Sequence, residues 1–282
     1  MKISVIHTGY FKLDGGAMFG IVPKSLWQKL NPPDEANLCT WAARVMLVET
    51  GNRKILIDTG IGSKQDAKFR SFFHPTEDVL LQSLAEKGVH PEAITDVFLT
   101  HLHFDHVGGA CHFDANGHVI PTFPNATYWS NQKHWNWAMQ PNMKEKASFL
   151  QENFVPLLQS KRLQFIDNEQ DINFLKNFDI HFTQGHTEAM MLPILTVGDQ
   201  KVVFCADTLA SSFHVGAPYV MGYDIRPLDT LEEKNWLLSE AVANKWILFF
   251  EHDPVAEAAT INMNNGRFGI ERKGALSDFL YN

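Results

Sequence analysis

Cysteine is scarce in this chain: three in 282 residues. Cys39, Cys111 and Cys205 are odd in number and form no Cys-x-x-Cys pair, which argues against a disulfide framework and for a reducing compartment. Long apolar runs are missing too, so no segment is expected to span a bilayer. The N-terminal stretch MKISVIHTGYFKLDGG has neither a long apolar core nor an Ala-x-Ala-type cleavage site, and no signal peptide is expected. A soluble cytoplasmic protein with no membrane partner follows. Positive charge is in deficit, with 24 Lys+Arg against 32 Asp+Glu and a formal charge of -8. An acidic surface repels phosphate backbones, so nucleic acid is not an expected partner. Internal repeats, low-complexity tracts and an evident domain boundary are also lacking, and residues 1–282 read as a single domain.

What is present is a full complement of apolar residues, 45%, with 21 Phe and 7 Trp, enough for a sizeable core and for an apolar pocket. Ile3–His7 alternates as a first strand. Residues 9–40, rich in Gly, Pro and aromatics, suit a lid over a site, a dimer contact, or a surface excursion packed by its own Phe and Trp. Ala43–Glu49 and Lys54–Asp58 read as a hairpin around Gly51-Asn52. Pro75–Lys87 suits a helix stopped by Gly88, and Ile94–Thr100 a short buried strand. Asp114–His118 reads as a hairpin turn and Ala126–Ser130 as a strand, and the Trp-rich stretch 131–160 is expected to be mostly helical. Strands are expected at Leu163–Ile166, Phe178–Phe182, Leu192–Val197, Lys201–Cys205 and Trp246–Phe250, with a helix over Leu231–Ala243. Two groups of strands, each with helices, fit an α/β (α+β) protein built as a four-layer αββα sandwich, although the order alone admits other α/β arrangements.

The chemistry concentrates in His101-Leu102-His103-Phe104-Asp105-His106, which follows a buried strand and precedes Val107-Gly108-Gly109. His101 and His103 are two apart, so on an extended segment they point the same way and can grip one metal. Asp105 and His106 lie past the turn and can face a second metal. The two glycines are expected to permit a tight turn through positive φ. Imidazole and carboxylate ligands suit zinc, and also iron, manganese or cobalt. Two such ions can hold a bridging hydroxide and polarise a scissile carbonyl together.

Thr100-His101-Leu102-His103-Phe104-Asp105-His106-Val107-Gly108-Gly109 resembles the signature of the metallo-β-lactamase superfamily, and further landmarks follow in order. They are Asp58-Thr59-Gly60, Gly185-His186-Thr187, Cys205-Ala206-Asp207-Thr208 and Glu251-His252-Asp253-Pro254. The resemblance implies the metallo-β-lactamase fold and two divalent metal ions, Zn²⁺ first among them. The first ion would be held by His101, His103 and His186, the second by Asp105, His106 and His252, with Asp207 bridging. The full set is similar to that of the N-acyl homoserine lactonases and related two-metal hydrolases. The flavodiiron branch, with Glu at the position of His103, fits poorly, as does the RNA-processing branch given the acidic balance.

Two departures stand out. Thr187-Glu188-Ala189-Met190 follows His186 where the family often has Pro-Gly-His, and no Tyr follows the bridging carboxylate where lactonases often use one. His214, Tyr219 and Tyr223 are the candidates to stand in for that Tyr.

The expected activity is hydrolysis of a lactone or ester of a small molecule by the bridging hydroxide, with Asp105 shuttling the proton to the leaving oxygen. Asp58 either orients a ligand histidine or simply forms a turn. Phe19, Trp27, Trp135, Trp137, Phe213 and Tyr219 either wall an acyl pocket or pack in the core, and Cys111 reads as a packing thiol. Thioester or phosphotriester hydrolysis, metal or ligand binding without turnover, and, less well, a redox role are the competing readings.

Overall fold

A computed structural model describes residues 1–166 and 172–280. They fall into two compact units, Met1–Phe11 with Ala42–Gln170 and Lys12–Trp41 with Asp171–Asn282.

The first unit carries a six-stranded sheet in the order Lys2–Asp14, Leu38–Thr50, Arg53–Ile57, Asp96–Phe98, Thr127–Asn131 and Leu163–Ile166. Leu38–Thr50 and Arg53–Ile57 form the expected hairpin, and from Arg53–Ile57 onward the strands run parallel. Val45 to Val48, Ile55 to Ile57, and Val97 and Phe98 are buried without alternation, as strands covered on both faces must be. Val45, Leu47, Leu56 and Val97 among them join Leu84, Ile94, Leu102, Phe123, Tyr128, Phe154 and Leu157 in one apolar core. Parallel strands send their C-terminal ends to one edge, so the turn after Ile57 and the loop after Phe98 emerge side by side.

The second unit carries a seven-stranded sheet in the order Arg267–Gly274, Ala258–Asn264, Ile247–Phe249, Gln200–Phe204, Met190–Val197, Phe178–Thr183 and Ile172–Leu175. Gln200–Phe204 and Ile247–Phe249 are parallel, and Phe178–Thr183 runs in the same sense because two antiparallel pairings separate it from Gln200–Phe204. The ends of all three strands therefore leave the sheet on one edge. An 18-residue helix, Pro227–Asn244, has Pro in its first turn and ends on Lys245 in the left-handed region.

One local expectation fails for an identifiable reason, and the structure adds two elements that the sequence reading does not contain. The stretch 131–160 is α-helical over Gln132–Met139 and Val155–Gln159, with a short 3-10 turn at Gln151–Asn153. Pro141 cannot continue the first helix, and the Asn142 side chain then accepts from the amides of Lys144 and Glu145 in place of helical carbonyls. One added element is the hairpin Ala258–Asn264 with Arg267–Gly274, whose turn, Asn265-Gly266, has positive φ at both residues, as that dipeptide favours. The other added element is helix Ala67–Phe73, capped by Asp66, whose side chain accepts from the Phe69 amide.

The segment 9–40 extends the first strand to Asp14 and then forms helices Gly15–Phe19 and Lys24–Trp27. Phe19 and Trp27 are buried and stacked at 5.2 Å, whereas Ile21 is 88% exposed. Trp135 packs on Phe154 and Phe165 as part of the core, not as a pocket wall.

Candidate metal centre

In the first unit the loop 101–106 is fixed by hydrogen bonds to its own neighbours. Thr59 N–H donates to the His106 carbonyl at 2.7 Å, Gly109 N–H to Gly60 at 3.1 Å, and Leu102 N–H to His134 Nε2 at 2.9 Å. Lys64, buried, donates to the carbonyls of Gly108 and Cys111. Neither Gly108 nor Gly109 has positive φ. A Cβ at Gly108 would overlap the Ile61 carbonyl and one at Gly109 the Thr59 carbonyl, so these glycines serve close backbone approach and not the turn expected of them.

Asp58 organises the ring nitrogens. Its φ of 60° is a left-handed conformation that a side chain rarely adopts without compensation. Its carboxylate accepts from Thr100 N at 2.8 Å and Thr100 Oγ1 at 2.6 Å. Thr100 Oγ1 lies 3.1 Å from His101 Nδ1, and Asp58 Oδ2 lies 3.1 Å from His106 Nδ1. With the Thr100 hydroxyl proton committed to Asp58, both imidazoles carry their proton on Nδ1 and present the Nε2 lone pair. Of the two readings of Asp58, the geometry bears out the orienting one. The His101 ring sits 4.6 Å from that of His103 and 3.9 Å from that of His106, and His106 Nε2 is 3.9 Å from Asp105 Oδ1. All four are buried.

In the second unit the three candidates come from three strand ends. His186 follows Phe178–Thr183, Asp207 lies in the turn after Gln200–Phe204, and His252 follows Ile247–Phe249. Asp207 offers one oxygen to each histidine: Oδ2 is 3.1 Å from His186 Nε2 and Oδ1 is 3.2 Å from His252 Nε2. Ala206 before it has φ 42°, another left-handed residue beside a candidate ligand. Asp224, which sequence reasoning missed, holds His186 Nδ1 at 2.9 Å. Glu233 accepts from the amides of Gln184 and Gly185, at 2.7 and 3.1 Å, and secures the loop. Burial opposes charge on His186, yet Asp207 beside it and hydrogen bonds to Asp207 and Asp224 raise it to about 10. Carboxylates that draw a proton this strongly draw a divalent cation for the same Coulombic reason.

His214, one of the three candidates to stand in for the lactonase Tyr, is bound into the fold. Its Nε2 is 3.0 Å from the Met18 carbonyl and its Nδ1 is 2.7 Å from Ser211 Oγ, so both nitrogens are engaged by the fold. The carbonyl must receive a proton, so Nε2 donates and Nδ1 accepts from the hydroxyl. The ring stacks on Phe19 at 5.1 Å, and burial pushes its pKa down to about 4. Tyr219 meets Phe19 edge-on at 6.1 Å, and both Tyr219 and Tyr223 are half-buried. Phe213 packs edge-on against Trp41 at 6.4 Å. Trp137 donates Nε1 to Glu145 at 2.8 Å.

Histidine and carboxylate groups that could hold a metal ion occur among the described residues, drawn from Asp58, His101, His103, Asp105, His106, His186, Asp207, Glu251 and His252. All are buried, and no cysteine is among them. The donors are imidazole and carboxylate, which fits zinc, iron, manganese or cobalt and does not fit a thiolate-only site. Burial raises the thiols of Cys39 to about 11 and Cys111 to about 12, and that of Cys205 also rises, so they remain protonated packing groups. Among the described residues no helix is long and apolar enough to cross a membrane.

Comparison with known proteins bears on this arrangement. The N-acyl homoserine lactonase AiiA of Bacillus thuringiensis subsp. kurstaki is 24% identical over 238 residues, 79% of this chain and 85% of that protein. A probable metal-dependent hydrolase from Staphylococcus aureus superposes with TM-score 0.87 at 26% identity, over 97% of this chain and 96% of that one. AidC, a dizinc quorum-quenching lactonase solved with the product N-hexanoyl-L-homoserine, superposes with TM-score 0.78 at 19% identity, over 95% of this chain and 92% of that one. The family model described as the metallo-beta-lactamase superfamily matches residues 41–252, a span that contains every candidate ligand from His101 to His252. The chain belongs to the metallo-β-lactamase superfamily and has its fold.

Proposed function

We propose that this protein is a two-metal hydrolase that opens a lactone or ester of a small molecule, its two units acting as one functional domain over residues 1–282. His101, His103 and His186 would hold one divalent ion, Asp105, His106 and His252 the other, and Asp207 would bridge them. The observation that carries the reading is Asp207, whose two oxygens each face a different histidine within 3.2 Å. A carboxylate that serves two imidazoles at once is disposed to serve two cations. Zinc is the first choice, because neutral imidazoles with fixed tautomers and an open coordination position are its usual catalytic setting.

When bound, two such ions supply Lewis acidity at a carbonyl and a water acidic enough to attack at neutral pH. The remaining work falls to the chain. Asp58 and Asp224 hold the imidazole protons on Nδ1 of His101, His106 and His186, so the opposite nitrogens stay available as donors. The Asp105 carboxylate is the group to take the proton of the attacking water and return it to the leaving alkoxide. Phe104, inside the ligand loop, packs against Phe69 at 4.9 Å and Phe73 at 4.7 Å. This aromatic group, absent from the wall expected from sequence, gives the loop an apolar flank that suits an acyl chain. The likeness to lactonases at 24% identity supports the same substrate class. Three buried free thiols accord with a cytoplasmic location.

The test is a metal count on protein prepared without chelator, followed by a panel of N-acyl homoserine lactones, aryl esters, thioesters and aryl phosphotriesters. The expected result is two ions per chain and the highest kcat/KM on a lactone or ester. His103→Ala should lower that activity by about 10³-fold or more, a loss of at least about 4 kcal/mol of transition-state stabilisation. Two bound ions with no turnover across the panel would move the protein to a binding role, and metal-free protein with full activity would sink the proposal.

A further inference from the structure

Glu145 is a buried carboxylate that the reaction above does not use, only 2% exposed. Its Oε2 accepts from Trp137 Nε1 at 2.8 Å and from Asn142 Nδ2 at 2.6 Å. Its Oε1 lies 3.5 Å from Nε2 of His103, and the His103 ring is held from another side by Phe149 at 4.7 Å. The same segment is tied to the ligand loop by the Phe104 amide, which donates to the Ser148 carbonyl at 2.9 Å. Two neutral donors on one carboxylate oxygen keep a buried charge tolerable, and the other oxygen is left beside the imidazole.

A carboxylate beside one imidazole nitrogen favours a proton on that nitrogen and so leaves the lone pair on the other. His101 and His106 are oriented through Asp58 at their Nδ1 atoms. At His103 the carboxylate faces the opposite nitrogen. We propose that Glu145 is the positioning residue of His103: it holds the ring as the Nε2–H tautomer, leaves Nδ1 as the metal donor, and strengthens that donor with its negative charge. Trp137 and Asn142 act one step further out, by fixing the carboxylate. The inference rests on the two-metal reading and assigns an electrostatic brace to one of its ligands.

The experiment compares wild type, Glu145→Gln, Glu145→Asp and Trp137→Phe, each stripped of metal. Each is titrated with Zn²⁺ against a chromophoric chelator and separately with Co²⁺ to record its visible absorption. Melting temperatures run alongside as a fold control. Glu145→Gln is expected to weaken one of two sites by about 10–100-fold, with the other changed by less than about threefold. Its Co²⁺ absorption should shift, and Glu145→Asp should recover part of the affinity. Glu145→Gln with both affinities and the Co²⁺ spectrum of wild type would overturn the proposal. If Glu145→Gln does not fold, Trp137→Phe decides, because it keeps the carboxylate and removes one of its anchors. Unchanged affinity there overturns the proposal equally. Wild-type protein that takes up neither metal would instead defeat the two-metal reading, a result visible before any variant is made.

Discussion

The two units build their candidate ligands in opposite ways. In the first, four side chains come from six consecutive residues, and backbone sets their geometry: the Thr59–His106 and Gly60–Gly109 hydrogen bonds, and glycines that let Ile61 and Thr59 lie against the loop. In the second, three side chains come from three separate strand ends, and carboxylates set their geometry: Asp207 between His186 and His252, with Asp224 behind His186. A backbone-set loop has no slack, since peptide groups cannot rotate away from an intruding atom. A carboxylate-set cluster can lose a partner and keep its fold, at the expense of ligand orientation. Mutations of the close-packed backbone should therefore damage stability, and mutations of the carboxylates behind the histidines should damage metal affinity, in whichever unit they fall.

The largest effect is expected at Gly108. A methyl there overlaps the Ile61 carbonyl carbon and oxygen, which are backbone atoms, so Gly108→Ala should cost about 4 kcal/mol or prevent folding. Urea denaturation gives the value, and a loss under about 1 kcal/mol would show that the loop has the slack denied to it here. The second unit has one comparably stiff element. Lys234 Nζ shares its three N–H bonds among the carbonyls of His214, Gly216, Ala217 and Tyr219, all at 2.9–3.3 Å. Lys234→Met leaves those oxygens without their donor and should cost about 3 kcal/mol. Rapid proteolysis within 214–219 would locate the damage, and a protease-resistant loop in this variant would contradict the assignment.

The same contrast explains what could be read in advance. Four candidate ligands in six residues form a spacing pattern, and continuous apolar runs located most of the strands around them because those strands are buried on both faces. His186, Asp207 and His252 have no mutual spacing, since each owes its place to strand pairings that bring distant positions to one sheet edge. Family resemblance pointed to them, with their places beside β-rich runs as the only independent support. Asp224 and Glu145 were invisible because nothing local to either residue encodes a partner 38 or 42 positions away. Asp58 was legible only as one of two alternatives, since a turn-forming Asp and a histidine-orienting Asp look alike until the fold brings His106 within 3.1 Å.

A pH-dependent difference follows from His214, which is neutral in the folded protein. Its pKa falls from 6.5 to about 4 by burial, so between those values the unfolded chain binds a proton that the folded one refuses. Stability from this residue is present above pH 6.5 and is lost as pH falls towards 4, by on the order of 2–3 kcal/mol. His214→Gln should be less stable than wild type at pH 7.5, yet lose less on acidification to pH 4.5. Parallel acid profiles for the two proteins would remove His214 from the account.

The smallest predicted effect is also the sharpest test of how carboxylates set ligand geometry. Asp58 serves two histidines, His106 directly and His101 through Thr100 Oγ1, whereas Asp224 contacts His186. Asn in place of either aspartate keeps the shape but removes the charge, and an amide can place N–H against the ring N–H it should accept. Loss of a partner behind a ligand histidine weakens metal binding by about 10–100-fold. Asp58→Asn, disturbing two rings assigned to different ions, should weaken both sites, towards the upper end of that range. Asp224→Asn, disturbing one, should weaken a single site towards the lower end, and melting temperatures of the metal-free proteins should separate the two variants less than their affinities do. Zn²⁺ titration against a chelator resolves the sites. If Asp58→Asn affects only one of them, the hydroxyl relay through Thr100 does not control His101, and the backbone of the loop orients that ring unaided.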